Sequence, residues 1–263
     1  MFKPSPLIAA RYLRSRFGDD FEKEVRASLY PDLNPSPASP LLKAIRQLCV
    51  SPGRNPNLAA VITYNFDDLL EMYLEDFPIK VPYKSIYAVG MNPQPDELPI
   101  YHIHGYLPRN NELTHENRIT LSEDVYHQQY SDIYSWNNIE QINRFRDYTC
   151  LFIGTSFIDP NLRRVLDIAT QQRGRDHEVQ HYIVRSKYEV GQVQDQIAKV
   201  LEANRSLFDE KQLTKMSLEK TTESLVRLMH SFEEEDGQSF GVETIWVEDY
   251  SKIPYELQAI QSR

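Results

Sequence analysis

Short apolar runs alternate with segments of helical spacing along most of this chain. The apolar runs at residues 58–63, 99–103, 150–153, 180–185 and 243–247 predict strands, because parallel strands covered on both faces are apolar almost throughout. Helices are predicted at residues 6–30 (a pair broken at Gly18), 41–50, from residue 67 to the proline at 78, 122–146 (a pair), 161–172, 188–203, 217–235 and 253–260. An edge strand is expected within residues 79–98, and a further short strand at residues 118–121.

This alternation of strands and helices predicts an α/β fold with a doubly wound, mostly parallel sheet and flanking helices, which is a Rossmann-like fold. We expect a single domain over residues 1–263. It consists of a helical subregion at residues 1–57 and a Rossmann-like core at residues 58–263, with a helical insertion at about residues 122–147. Proline-containing connections are expected at residues 31–40 and 51–56.

Composition narrows the class of protein. The hydrophobic content of 41% is enough for a substantial core, and the formal net charge of −9 argues against a broad basic surface for nucleic acid or anionic membranes. Cys49 and Cys150, the only two cysteines, each lie in an apolar run, which predicts reduced thiols rather than a disulfide between them. No segment has the pattern of a signal peptide or a membrane span, so we expect a soluble, cytoplasmic protein.

Polar residues follow three of the predicted strands, at the ends where parallel strands hold ligands. They are Asn65 and Asp67, then His104, then Thr155, Ser156, Asp159 and Asn161. If the sheet is parallel, these residues converge on one edge. His104 could act as a general base, because imidazole titrates near neutral pH. The Asn65 amide could orient a water molecule or a sugar hydroxyl without adding charge, and Asp67 could assist either residue.

Simpler interpretations exist for several of these residues. Asp67 and Asp159 are suited to capping the helices that follow them, and Asn65 is suited to a turn. His102 and His104 could form a metal pair if both side chains lie on one face of a strand, as in metal-dependent hydrolases. Further ligands would be needed, and no other histidine is suitably spaced, so no metal is expected. Ser156 lacks the GxSxG context of a serine nucleophile.

Three motifs carry a resemblance to a known family. They are TYNFDDLLE at residues 63–71, His104-Gly105, and FIGTSFIDPNLR at residues 152–163. In this order they resemble the sirtuin-like NAD-hydrolase family of bacterial antiviral defence, from about residue 6 to the last predicted strand. The combination is more specific than any one of the motifs.

The resemblance implies a site for NAD. It makes Asn65 the residue that positions the nicotinamide ribose and the attacking water, Asp67 its neighbour in catalysis, and His104 the catalytic histidine. The residues implied to bind the dinucleotide are Thr63, Gly154, Thr155, Ser156, Asp159, Asn161, Arg185 and Ser186. Within this set, Gly154 to Ser156 form the turn that contacts ribose and phosphate, while Arg185 and Ser186 lie near the adenosine half.

The implied activity is an NAD glycohydrolase that cleaves the nicotinamide–ribose bond, with water as acceptor, and releases ADP-ribose and nicotinamide. A lysine deacylase is disfavoured, because protein-deacylating sirtuins carry a four-cysteine zinc module and this chain has two cysteines. The resemblance also implies a defence effector that works as a homo-oligomer or with a defence-system partner protein. The alternatives are a non-catalytic nucleotide-binding or assembly module and, less favoured, a metal-dependent hydrolase that uses His102 and His104.

The chain departs from the family pattern near its start. The family begins with a strand and a glycine-rich loop that holds the phosphates through backbone amides. Nothing before Leu58 has this form, and Gly18 is followed by two carboxylates. We expect the first strand–loop–helix unit to be missing through truncation or a misassigned reading frame. Supply by another chain or a differently closed sheet are the alternatives. If nothing replaces that loop, weak dinucleotide affinity and little or no hydrolysis by this chain alone would follow.

Overall fold

A computed structural model describes residues 5–31, 39–50, 58–173, 181–207 and 217–261. The predicted connection at residues 51–56 lies outside these ranges, as does most of the one at residues 31–40. Two compact units divide the chain. The first unit comprises Met1–Gln141 and Pro254–Arg263, and the second comprises Ile142–Ile253. The prediction of a single domain stays a prediction.

The first unit opens with three helices whose starts follow from local sequence. They are α1 (Pro6–Phe17), α2 (Phe21–Leu29) and α3 (Pro40–Cys49), with a short 3₁₀ turn at Gly18–Asp20. Ser5 and Ser39 cap α1 and α3 by accepting hydrogen bonds from the backbone N–H of Ile8 and Leu42. In each case proline is the first helical residue, where its missing N–H costs nothing.

Three parallel strands form the sheet of the first unit. The elements that follow α3 are β1 (Val61–Thr63), α4 (Leu69–Glu75), β2 (Tyr83–Ile86), β3 (Leu98–His102), α5 (Glu123–Ser131) and α6 (Trp136–Asp147), the last of which ends in the second unit. The strand order is β1-β3-β2, and Thr63 pairs with His102. Every residue of the central strand β3 is buried, which explains its continuous apolar run. The predicted edge strand within residues 79–98 is confirmed as β2.

The second unit contains another parallel sheet. Its elements are β4 (Leu151–Phe152), α7 (Pro160–Arg173), β5 (His181–Ser186), α8 (Val190–Ala203), α9 (Leu218–Gln238) and β6 (Val242–Val247). The last helix, α10 (Ile253–Gln261), starts at the final residue of this unit and otherwise belongs to the first unit. The strand order is β4-β5-β6, with β5 paired to β6 from His181↔Val242 to Ser186↔Val247. The α/β prediction is therefore confirmed: two small parallel sheets are flanked by helices, consistent with a Rossmann-like fold.

One predicted strand is wrong. Residues 118–121 have no regular structure, although Ile119 is fully buried. Ile119 packs with Ala10, Phe21 and Leu107, so its apolar character is explained by a core contact rather than by a place in a sheet. Among the described residues, one backbone hydrogen bond joins this segment to the turn after β3: Thr120 N–H donates to the His104 carbonyl at 2.7 Å.

Both cysteines are free thiols. Burial raises the pKa of Cys49 and of Cys150 to about 12 in each case, so the reactive thiolate form is scarce at neutral pH. In the part of the chain that the structure describes, no helix has the length and apolar character needed to cross a membrane.

Candidate functional site

Asn65 lies immediately beyond the carboxyl end of β1. Its backbone N–H donates to the Thr63 hydroxyl at 3.1 Å, which folds the chain sharply after the strand. The Asn65 side chain is exposed, whereas Thr63 is half-buried. In the first unit, Asn65 therefore lies where the sequence predicts it, beyond the carboxyl end of a parallel strand, and its side-chain amide is available to a ligand.

His104 lies in a tight turn that leaves the neighbouring strand β3. The Gly105 N–H donates to the His102 carbonyl at 3.1 Å and closes the turn. Gly105 has φ of 101°, and a Cβ atom at this position would lie 2.0 Å from the Arg118 carbonyl oxygen. Only glycine fits here, both in conformation and in space. The turn thus explains why glycine follows His104.

The His104 ring is half-buried and packs against Tyr64. The two ring centroids are 4.9 Å apart at an interplanar angle of 71°, an edge-to-face contact. Tyr64 is itself held by its hydroxyl, which donates to the Gln141 side-chain oxygen at 2.6 Å. Tyr64, which lies between β1 and Asn65 in the sequence, therefore packs edge to face with the His104 ring.

Asp67 lies one residue before Asp68, the N-cap of α4, so it contacts the start of that helix without occupying the predicted capping position. Its Oδ1 accepts from Leu69 N–H at 3.2 Å, at the start of α4. Burial raises the pKa of Asp67, and the hydrogen bond from Leu69 opposes that shift. The next residue, Asp68, was not among the predicted site residues. It is buried and accepts from Arg109 N–H at 2.8 Å, while its own N–H donates to the Tyr30 hydroxyl at 3.0 Å.

His102 is paired with Glu71, another residue that sequence analysis missed. His102 Nε2 lies 2.7 Å from Glu71 Oε1, and His102 Nδ1 lies 3.3 Å from the Asn65 carbonyl oxygen. Because β3 ends at His102, strand alternation does not place His104 on the same face. Among the described residues, no group of three or more His, Cys, Asp or Glu side chains is arranged to hold a metal ion.

In the second unit, the turn after β4 is open. Gly154 has φ of 68°, and a Cβ atom there would meet nothing within 4 Å. Gly154 and Ser156 are exposed, and Thr155 is half-buried. Backbone amides and two hydroxyls are therefore accessible at the carboxyl end of a strand, which suits ribose and phosphate oxygens.

Asp159 and Asn161 support this turn. Asp159 Oδ1 accepts from the N–H groups of Asn161 and Leu162 at 2.7 and 3.4 Å, so it caps α7. The Asn161 side chain is 2% exposed, and its oxygen accepts from Arg164 at 2.8 Å. The resemblance implies that both residues bind the dinucleotide, and in the structure their side chains have partners that support the turn.

Arg185 and Ser186 line an open cavity of about 470 Å³ within the second unit, at the carboxyl ends of β5 and β6. Its other lining residues include Tyr188, Glu233, Asp249 and Tyr250, none of which was predicted. Arg185 donates to Glu233 at 3.0 Å, and the Tyr188 hydroxyl donates to the same carboxylate. Burial raises the pKa of Tyr188 to about 12, so this hydroxyl stays protonated. Such walls suit a ligand rich in hydroxyl groups. The sequence signal for this cavity was the predicted ligand contact at Arg185 and Ser186, at the end of β5. The strand order then places the end of β6 beside it.

A comparison with models of known protein families finds a match over the middle of the chain. The family model described as "SIR2-like domain" matches residues 59–208, more than half of the 263 residues. Among curated proteins, none matches the sequence. The matched range holds every predicted site residue, from Thr63 to Ser186, and a SIR2-like domain supports an NAD-related function. The chain belongs to the SIR2-like domain family.

Proposed function

We propose that this chain binds NAD and hydrolyses its nicotinamide–ribose bond to ADP-ribose and nicotinamide. One observation carries the proposal. Within the SIR2-like match, the first unit has two loops that each leave the carboxyl end of a parallel strand, and these loops carry Asn65 and His104. Ligands of open α/β sheets are held at such strand ends.

Cleavage of the nicotinamide–ribose bond needs groups that position the substrate and a general base. Nicotinamide leaves from a cationic pyridinium, so the bond needs little acid assistance, and the sugar passes through an oxocarbenium-like state. The exposed Asn65 amide orients a ribose hydroxyl or the attacking water through one donor and one acceptor. His104, held by Tyr64, takes the proton that the attacking oxygen loses. Asp67 has the smaller role of fixing the start of α4 beside Asn65.

The remaining predicted residues hold the ADP-ribose half. The turn of Gly154, Thr155 and Ser156 offers amides and hydroxyls to ribose and phosphate, and Thr63 holds the Asn65 turn. Arg185 and Ser186 contact the adenosine side from the wall of the cavity in the second unit. Asp159 and Asn161 act through the shape of the turn, because their side chains bond to α7.

The biological role that we propose is that of an antiviral defence effector that depletes NAD when triggered. The support for this role is the resemblance of the three motifs to sirtuin-like NAD hydrolases of bacterial defence. The effector would work as a homo-oligomer or with a defence-system partner protein. Its activation in cells would then lower cellular NAD, and His104→Ala would abolish that effect.

A second candidate is a nucleotide-binding module without catalysis. The observation that favours it is the engagement of both signature aspartates, Asp67 and Asp159, in hydrogen bonds at helix starts. In this case the loops bind a nucleotide, and no bond is broken.

Nicotinamide release from NAD by the purified chain distinguishes the two candidates. We expect Asn65→Ala and His104→Ala each to lower the turnover number by about 10²-fold or more, since a lost general base or positioning group costs this much. Asn110→Ala and His115→Ala are matched controls, because both are exposed residues of the first unit outside the proposed site. Equal turnover in all four variants would sink the enzymatic assignment and leave the binding module.

A further inference from the structure

Glu71 and His102 form a buried polar pair in the first unit. Their side chains are 5% and 1% exposed, and Glu71 Oε1 lies 2.7 Å from His102 Nε2. Ser85 donates to the same carboxylate oxygen at 2.8 Å. On the other side of the imidazole, Nδ1 lies 3.3 Å from the Asn65 carbonyl oxygen, and Tyr106 packs against the ring with centroids 4.3 Å apart.

The hydrogen-bond partners fix where protons can be in this pair. A carbonyl oxygen only accepts, so His102 Nδ1 carries a proton and donates it to the Asn65 carbonyl. On the other side of the ring, Nε2 faces the Glu71 carboxyl, which fixes the orientation of the imidazole. Glu71 therefore holds the ring in the position from which Nδ1 reaches the Asn65 backbone.

His102 is connected to both loops that carry the proposed catalytic residues. Its ring holds the Asn65 carbonyl, and its own carbonyl accepts from Gly105 N–H at 3.1 Å, which closes the turn of His104. The strands agree with this arrangement, because Ile103 N–H donates to the Thr63 carbonyl at 3.1 Å. One buried residue thus connects the two loop starts, through its side chain to the Asn65 turn and through its backbone to the His104 turn.

Stability alone is a poor explanation for this pair. Buried ion pairs contribute little compared with apolar residues of the same volume, because desolvation offsets their attraction. Glu71 Oε2 makes no hydrogen bond to a described residue, so the pair carries a further burial cost. What the pair does provide is a directional donor aimed at a backbone carbonyl.

We propose that Glu71 and His102 are positioning residues, which hold the Asn65 turn through the hydrogen bond from His102 Nδ1. This role gains its catalytic meaning from the proposed function, since Asn65 is the residue that orients ribose or water. Neither Glu71 nor His102 touches the substrate. The imidazole acts on the backbone, and the carboxyl acts on the imidazole.

Two variants of one residue test this role, because asparagine and glutamine each keep one half of the imidazole. In His102→Asn, the amide nitrogen takes the place of Nδ1 and keeps the bond to the Asn65 carbonyl, but Glu71 loses its partner. In His102→Gln, the amide takes the place of Nε2 and keeps the bond to Glu71, but the Asn65 carbonyl is released. A urea titration ranks the stability of the variants, and hydrogen–deuterium exchange of residues 64–68 reports the turn directly.

We expect the urea titration and the exchange measurement to rank the two His102 variants in opposite orders. His102→Gln should be the more stable variant, yet its turn should exchange about tenfold faster than that of the wild type, as for one lost hydrogen bond. His102→Asn should be less stable but keep the exchange rate of its turn within about twofold. In NAD hydrolysis, His102→Gln should lower kcat with little change in KM, and His102→Asn should keep kcat. Exchange rates that follow the order of stability overturn the proposal. If the wild type releases no nicotinamide, the proposed function fails, while the exchange measurement still decides the role of His102.

Discussion

At the scale of single residues, Gly105 is, of the described glycines compared for an added Cβ, the one with the closest clash. Its φ of 101° is unfavourable for residues with a Cβ, and the Cβ itself would lie 2.0 Å from the Arg118 carbonyl oxygen. We expect Gly105→Ala to lower the free energy of unfolding by about 3 kcal/mol, from backbone strain together with the displacement of Arg118. Urea unfolding followed by circular dichroism measures this change.

Gly90 is the matched control for this prediction. It also has a positive φ, of 86°, but a Cβ atom at Gly90 would meet nothing within 4 Å. Gly90→Ala should therefore cost about 1 kcal/mol, from backbone strain alone. The difference between the two losses in the free energy of unfolding measures the steric clash at the His104 turn. Equal losses in Gly105→Ala and Gly90→Ala would contradict the clash.

Residue positions at the carboxyl ends of strands could be predicted from sequence, and their partners could not. Asn65 and His104 each follow an apolar run directly, so the end of the run places them. Glu71 lies within an amphipathic helical segment, where a charged residue is usually solvated. Only the packing of α4 against β2 and β3 puts His102 and Ser85 beside it, and that packing is not encoded in local spacing.

At the scale of elements, His181 connects the first two strands of the second unit. It is fully buried at the start of β5, and its Nδ1 accepts from Cys150 N–H at 3.1 Å, just before β4. Burial and, second, the charge of Arg173 lower the pKa of His181 to about 4, against an ordinary value of 6.5. The folded protein therefore holds this imidazole neutral, and its Nδ1 atom can accept the hydrogen bond from the Cys150 backbone N–H.

The sign of the pH dependence follows from this depressed pKa. Between pH 6.5 and about 4 the unfolded chain binds a proton at His181 that the folded chain does not, so stability is full above pH 6.5 and falls towards pH 4. The loss reaches about 3 kcal/mol at most. Urea titrations at pH 7, 6, 5 and 4 measure it. His181→Asn, whose side-chain oxygen can accept from Cys150 N–H and does not titrate, should show a shallower decline. The same decline in both proteins would contradict the prediction.

Elements were predictable where a full apolar run or a cap marks them. Ser5-Pro6 and Ser39-Pro40 place the starts of α1 and α3, and the run at residues 99–103 places β3. The segment at residues 118–121 has the alternation of a strand but contributes Ile119 to a core with helices α1 and α2. Periodicity reports burial, and burial by a helix gives the same pattern as burial in a sheet.

At the scale of the whole molecule, the net charge of −9 leaves recognition of an anionic ligand to local groups. The Gly154 turn offers backbone amides, and Arg185 is balanced by Glu233 at 3.0 Å. A dinucleotide would then be bound by directed hydrogen bonds rather than by a general positive field, which a nucleic acid requires. Measuring the binding of NAD and of DNA to the same protein therefore distinguishes directed hydrogen bonding from attraction by a general positive field.

Thermal unfolding with ADP-ribose tests this mode and both candidate functions, because it detects binding without turnover. At a concentration of 100 times Kd, a ligand specific for the folded state adds about 2.7 kcal/mol, which raises Tm by about 5 to 10 °C in a chain of this size. We expect this rise with ADP-ribose, whose Kd is obtained from the concentration dependence of Tm. A DNA duplex at the same phosphate concentration should leave Tm unchanged, because the acidic surface repels it. A rise with ADP-ribose but no nicotinamide release from NAD would favour the binding module. An unchanged Tm with both ADP-ribose and NAD would contradict both candidate functions, whereas a rise with DNA would contradict the argument from net charge.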